Sequence, residues 1–216
     1  MKFLLITISF SLTVFTAFSQ DSINRVYYSN GSLRSFQIEK DSIFIYEKSF
    51  YENGEVAGEG VGRIKNGKFV PLNFKRFYDT GELWYSINDS LHVSFEKDGS
   101  LYMKTEMCCG EKNGIMEYYA DGKLIYSAEY KNDLKNGKTA GYKQDGGYFE
   151  ILYSKNKMNG PAKYFAKTGI LEKELYYADD CIIKAIYFDS KGRVLRTITS
   201  KKELILTEGK SIDCRL

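Results

Sequence analysis

Beyond Gly99 the chain alternates. Leu101, Met103, Thr105 and Met107 take one parity, and Ser100, Tyr102, Lys104 and Glu106 take the other. The pattern returns as Leu124, Tyr126, Ala128 and Tyr130 against Lys123, Ile125, Ser127 and Glu129, and again along Leu171, Lys173, Leu175 and Tyr177. A period of two, with one set mostly apolar and the other mostly polar, predicts strands of a sheet wetted on one side.

Glycines punctuate these runs: Gly31, Gly54, Gly81, Gly99, Gly122, Gly146, Gly169 and Gly192, spaced 23, 27, 18, 23, 24, 23 and 23 residues apart. Four residues before each stands an aromatic, and two residues after each stands Leu, Val or Tyr. Aromatics make up 15% of the chain, so their presence at all eight places marks an internal repeat. The offsets predict a three-residue hairpin loop ending in a glycine with positive φ, closed by an aromatic–apolar cross-strand pair. The second turn of each period is expected at Asn66-Gly67, Asn113-Gly114, Asn136-Gly137 and Asn159-Gly160, because Asn-Gly is the strongest short hairpin signal. Where the period lacks it, Asn88-Asp89-Ser90 and Asp179-Asp180 supply other turn chemistry. The fold class expected is all-β: an elongated antiparallel meander of about eight ~23-residue hairpins, some sixteen short strands, in one twisted or curved sheet. No helix is expected.

The unit NGIMEYYADGKLIYSAEYKNDLKNG, Asn113 to Gly137, resembles the MORN-type repeat, in the bacterial variant with a Tyr-Tyr-x-x-Gly-x-Leu core. Chains of this build are identified as YwqK-family antitoxin proteins. The resemblance runs roughly from residue 25 to 200 and is closest over 95–178. It departs in the second copy, where Ala57-Gly58-Glu59-Gly60-Val61-Gly62 replaces the alternation and extra residues surround Pro71. It implies a sheet that serves as a binding or scaffolding surface, without catalytic residues.

The ends and the charges refine this picture. Met1-Lys2 precedes an apolar run, Phe3 to Phe18, that closes on Ala17-Phe18-Ser19. This reads as a secretory signal peptide over 1–19, cut between Ser19 and Gln20, with the array over 20–208 and a C-terminal tail over 209–216. Export to a bacterial periplasm or the medium is the localisation expected. No transmembrane segment is expected after signal removal, since the run is short, carries Ser and Thr, and has no later counterpart. The formal charge is +3 with acids and bases interleaved, which argues against a nucleic-acid surface.

Candidate chemistry is sparse. His92 is the single histidine and has no metal-set companions. Gly58-x-Gly60-x-Gly62 lacks the spacing and βαβ context of a phosphate loop and reads as a loose strand. Glu172 and Glu174 share one parity and read as solvated. No catalytic residue, metal or cofactor is expected. Of the four cysteines, Cys109 and Cys181 are about six strands apart, roughly 29 Å at ~4.8 Å per strand, far beyond disulfide reach. A Cys181–Cys214 bridge is expected, leaving Cys108 and Cys109 free, vicinally bridged or intermolecular; four reduced thiols are the alternative. The function expected is a non-catalytic surface for a protein or envelope-glycan partner, with Leu124, Tyr126, Tyr130 and Tyr177 as the binding face. A second copy, joined through the apolar face or through Cys108 and Cys109, is the other partner considered. The alternatives are an antitoxin- or immunity-like role from the resemblance, and an envelope glycan hydrolase, for which no constellation is present.

Overall fold

A computed structural model of the chain describes residues 23–39, 44–65 and 68–208. The expected signal cleavage at Ser19-Gln20, the Asn66-Gly67 turn and Cys214 lie outside the described residues. The first eight strands are β1 (Ile23–Tyr27), β2 (Leu33–Glu39), β3 (Phe44–Phe50), β4 (Val56–Lys65), β5 (Lys68–Phe77), β6 (Leu83–Ile87), β7 (Leu91–Phe95) and β8 (Leu101–Cys108). The next eight are β9 (Glu111–Ala120), β10 (Lys123–Lys131), β11 (Leu134–Tyr142), β12 (Tyr148–Ser154), β13 (Lys157–Phe165), β14 (Leu171–Ala178), β15 (Cys181–Phe188) and β16 (Val194–Ile198). Each strand lies beside its sequence neighbours in one antiparallel sheet, which is not closed into a barrel.

The glycine turns form as the offsets require. In the first, Gly31 donates to the Tyr28 carbonyl at 3.0 Å with a φ of 83°, and Tyr28 N donates to Ser32 O at 2.9 Å. The expected pairs follow: Tyr27 faces Leu33, Phe50 faces Val56, Phe77 faces Leu83, Phe95 faces Leu101, Tyr142 faces Tyr148, Phe165 faces Leu171 and Phe188 faces Val194. The fifth hairpin is the exception. Asp121 and Gly122, both at positive φ, make a two-residue turn between Ala120 and Lys123. Leu124 therefore faces Tyr119, and Tyr118 faces Tyr126 across a bulge.

The other rim overturns the Asn-Gly expectation at three of its four places. Asn113-Gly114, Asn136-Gly137 and Asn159-Gly160 lie inside β9, β11 and β13. The reversals occur four residues earlier, at Cys109-Gly110, Asn132-Asp133 and Lys155-Asn156, and at the anticipated Asp179-Asp180. All eight of these residues have positive φ, as the two-residue primed turns of hairpins need. The displaced glycines serve bulges instead. A Cβ at Gly114 would lie 2.0 Å from Glu106 Oε2, and one at Gly137 would lie 1.9 Å from Glu129 Oε2. Glu106 uses that space to accept a hydrogen bond from Ile115 N at 2.9 Å.

These turns also tie neighbouring hairpins together. Asp133 N donates to Lys112 O, and Lys112 N donates back to Asp133 Oδ1 at 2.8 Å. Asn156 repeats this reciprocal pair with Lys135, and Asp180 repeats it with Met158, each at 2.7 Å to the side-chain oxygen. The first half of the sheet is tied on the glycine rim instead. Tyr28, Tyr51 and Tyr78 hydroxyls donate to the carbonyls of Phe50, Phe77 and Phe95 in the next glycine turn, at 2.8, 2.8 and 2.9 Å.

One line of side chains runs across the sheet from β5 to β16, one residue per strand. It comprises Phe74, Ile87, His92, Thr105, Met116, Ala128, Thr139, Ile151, Ala162, Leu175, Ala185 and Ile198, each opposite the next. Ala128 is 1% exposed, and Ala162 and Ala185 are 0% exposed. Small side chains reach such burial in a single layer because larger neighbours two residues along the same strands, such as Tyr126, Tyr130, Tyr164 and Tyr177, close over them. In β4 the glycines that look loose in sequence make room for the end of this line. A Cβ at Gly58 would meet the Phe74 ring at 3.1 Å, and one at Gly60 would meet it at 2.9 Å.

A helix, α1 (Lys201–Glu208), corrects the expectation of an all-strand array to residue 208. It starts where Leu204 N donates to Ser200 O and packs on β15, burying Leu204 against Ile198, Ala185 and Leu175. Glu208 binds Lys173 Nζ at 2.8 Å and accepts from the Tyr187 hydroxyl, while Glu203 pairs with Arg196. Burial and then Glu208 push the Tyr187 hydroxyl up to about 12. The helix thus closes the apolar line at its last strands.

Turn placement is testable by urea unfolding. Asn156→Ala puts a residue less tolerant of positive φ at a φ of 69° and removes the acceptor for Lys135 N, and is expected to cost about 1–2 kcal/mol. Asn159→Ala, at the exposed position once expected to turn, is expected to change stability by less than about 0.5 kcal/mol.

Candidate binding faces

The face that bears the buried line is flanked by tyrosines and lysines in register. Tyr130, Tyr153 and Tyr177 stand opposite Gly114, Gly137 and Gly160. Lys112 Nζ lies 5.0 Å above the Tyr130 ring, and Lys135 Nζ lies 5.1 Å above the Tyr153 ring. Lys135 also donates to the Tyr126 hydroxyl at 2.9 Å. Burial pushes the Tyr130 and Tyr153 hydroxyls up, against the opposing pull of Lys135. In the next period Met158 replaces the lysine, and Tyr177 is 9% exposed within the helix-capped cluster. These rings are engaged with their own sheet.

The four residues expected to form the binding face therefore separate. Tyr177 is interior, and Tyr130 lies under Lys112. Leu124 and Tyr126 come together at the lip of a groove that opens mainly on the opposite parity. Its cavity of about 270 Å³ is lined by Ile125, Ser127, Ala140, Tyr142 and Tyr148 as well as by Leu124 and Tyr126. Local causes are visible in the register. The β9–β10 ladder shifts between Leu124 and Tyr126, which leaves Ile125 as the bulged residue, and the facing pair Ser127 and Ala140 is too small to fill the space beside it. Tyr142 is 61% exposed, its ring 5.4 Å from Tyr148, which in turn lies 5.7 Å from Phe165. Tyr148 also donates to Glu150 at 3.2 Å, and Glu150 pairs with Lys138 at 3.0 Å.

Sequence reasoning missed Ile125, Tyr142 and Tyr148. The small residues Ser127 and Ala140, which face each other across β10 and β11, were the signal of an unfilled place. The rest of that face carries facing charges, with Lys48 on Glu59 at 2.9 Å and Lys104 on Glu117 at 3.9 Å. Glu174 faces Lys163 on β13, and Glu172 pairs with Lys143 at 3.8 Å. Such half-exposed pairs contribute little to stability.

Residues 112–132 match the family model described as MORN repeat variant. This MORN-type repeat spans nearly all of β9, its two-residue turn and β10, and so contains Tyr118, Leu124, Tyr126 and Tyr130. One side of the groove, Leu124 to Ser127, is therefore part of the matched repeat, while Ala140, Tyr142 and Tyr148 come from the hairpin that follows. MORN repeats are generally non-catalytic repeats that bind or scaffold. No curated protein matches the chain.

The other candidate residues fall into plain positions. Among the described residues no three of His, Cys, Asp and Glu gather as a metal site. Cys181 is disulfide-bonded, and its expected partner Cys214 lies outside the described residues. Cys108 and Cys109 are free and exposed. His92 takes its place in the buried line between Ile87 and Thr105, its ring 5.5 Å from Tyr85. Burial first, and then Lys112, hold its pKa below the usual value.

A depressed histidine pKa favours the neutral ring in the folded chain. Its contribution is present above the unfolded value of about 6.5 and is lost as pH falls through the lower folded value. The melting temperature is accordingly expected to fall between pH 7 and 5, and to fall less in His92→Gln. Thermal melts of both proteins across that range check this.

Proposed function

We propose that this chain is a non-catalytic binding or scaffold protein whose partner, a protein or an envelope glycan chain, seats in the groove lined by Ile125, Tyr142 and Tyr148. The observation that carries this reading is the contrast between the two faces. One consumes its aromatic rings covering the buried line, whereas the other leaves a cavity beside the exposed Tyr142, whose ring lies against the half-buried Tyr148. Tyrosine rings offer an apolar body and a hydroxyl, which suits both sugar faces and peptide surfaces. The matched MORN-type repeat supports a binding rather than a catalytic role. Export, read from Met1 to Gln20, would place the partner in the cell envelope or outside it.

The test is capture of envelope material by the immobilised chain lacking its leader. Tyr142→Ser combined with Ile125→Ser is expected to weaken capture by at least about tenfold, the effect of losing two central apolar anchors. Tyr130→Phe should leave it unchanged, because that ring already lies beneath Lys112. Equal capture by the groove variant and the native chain would contradict the assignment.

A further inference from the structure

The rim opposite the glycine turns carries a notch. The glycine spacing drops to 18 residues between Gly81 and Gly99, and β6 and β7 are five residues long, whereas β8 has eight and β9 has ten. The Asn88-Asp89-Ser90 reversal therefore stops short of its neighbours, at ~3.3 Å per missing residue. A cavity of about 270 Å³ results, with Arg63 and Pro71 on one wall, Asn88 and Asp89 at its floor, and Cys109 and Glu111 on the other wall.

Cys109 stands at the first turn position, with a φ of 61°, and this conformation brings its Sγ to 2.9 Å from Cys108 Sγ. Both thiols are exposed and free. The equivalent turn positions elsewhere hold Lys131-Asn132, Ser154-Lys155 and Ala178-Asp179, so the paired thiols are a feature of this turn alone among the described ones. We propose that Cys108 and Cys109 form a dithiol–disulfide exchange pair that reduces a small zwitterionic disulfide seated in the notch. The chemistry is balanced by that disulfide. Cys109 thiolate attacks one sulfur of the bound disulfide, forming a mixed disulfide and releasing one thiolate. Cys108 then loses its proton and attacks Cys109 Sγ. The Cys108–Cys109 bond forms, the second thiolate leaves, and the two electrons and two protons end on the two released thiols.

The order of attack follows from position. Cys109 lines the notch, and the hydrogen bond and charge of Cys109 raise the pKa of Cys108, which keeps its proton until the second step. The notch also indicates the class of disulfide. Asp89 and Glu111 offer places for ammonium groups, and Arg63, whose Nε is buried without an acceptor, offers one for a carboxylate. A disulfide of an amino-acid thiol carries both. The exchange is independent of what the tyrosine groove binds.

Cystine is the probe, added to the purified chain, with peptide mass analysis as the readout. The peptide carrying Cys108 and Cys109 is expected to lose two hydrogens while two cysteine molecules are released per chain, and the chain stays monomeric. Cys108→Ser should stop at a mixed disulfide on Cys109. Cys109→Asn keeps the turn, since Asn132 holds the same place, and should react more than about tenfold slower at Cys108. A native chain that halts at the mixed disulfide or cross-links into dimers overturns the proposal, as does a Cys109→Asn chain that reacts at the native rate. Oxidised glutathione, with its net negative charge, reacting as fast as cystine overturns the recognition by Arg63, Asp89 and Glu111.

Discussion

A sheet of one layer has nothing to bury its apolar face against except itself. The line from Phe74 to Ile198 meets that constraint by mixing side-chain sizes. Alanine or threonine occupies the centre of β8, β10, β11, β13 and β15, and around Ala128, Ala162 and Ala185 tyrosines two residues away lean over them. The contact is tight enough to leave Ala162 and Ala185 without solvent. Burial of this kind gives roughly 25 cal/mol per Å² of apolar surface, so the rings that supply the cover also contribute to the driving force. Where the line runs out at β16, helix α1 takes over with Leu204, and Glu203 and Glu208 fasten it to Arg196, Lys173 and Tyr187.

The second constraint is alignment of one hairpin with the next. Two devices serve it, on opposite rims. Tyrosine hydroxyls tie the glycine turns in the first half, and turn carboxylates or carboxamides tie the opposite turns in the second half. Each is a local bond between adjacent periods, which is how a repeat array accumulates stability from neighbour interfaces. The change of device coincides with the short β6–β7 hairpin, after which the strands lengthen and the notch appears.

Much of this was legible in the chain. The glycine turns were readable because a positive φ penalises any Cβ, so the same residue recurs at the same offset. The strand count and the face of the buried line followed from period-two alternation. Three Asn-Gly pairs, at 113, 136 and 159, misled because a positive φ serves a bulge as well as a turn. Only the placement of Glu106 and Glu129 shows that Gly114 and Gly137 make room for a carboxylate. Lys155-Asn156 turns without any glycine, a cost that the clamp to Lys135 offsets. The helix was hidden by its length of eight residues and by a continuing mixture of Lys, Glu and Leu. The tyrosine groove depends on a bulge at Ile125, and bulges are set by pairing registers that a single sequence does not display. The binding residues chosen from alternation, Tyr130 and Tyr177, were those the sheet needs for its own cover.

The central claim, that this single layer seals its own apolar line, is tested most directly at Ala162. Valine is the better strand former, so on an open face Ala162→Val would stabilise the chain. Under a closed roof of rings the added methyl groups have no room, and overpacking costs about 1–3 kcal/mol. The account predicts that the urea midpoint of Ala162→Val falls below that of the native chain. A midpoint that rises or stays the same would contradict it.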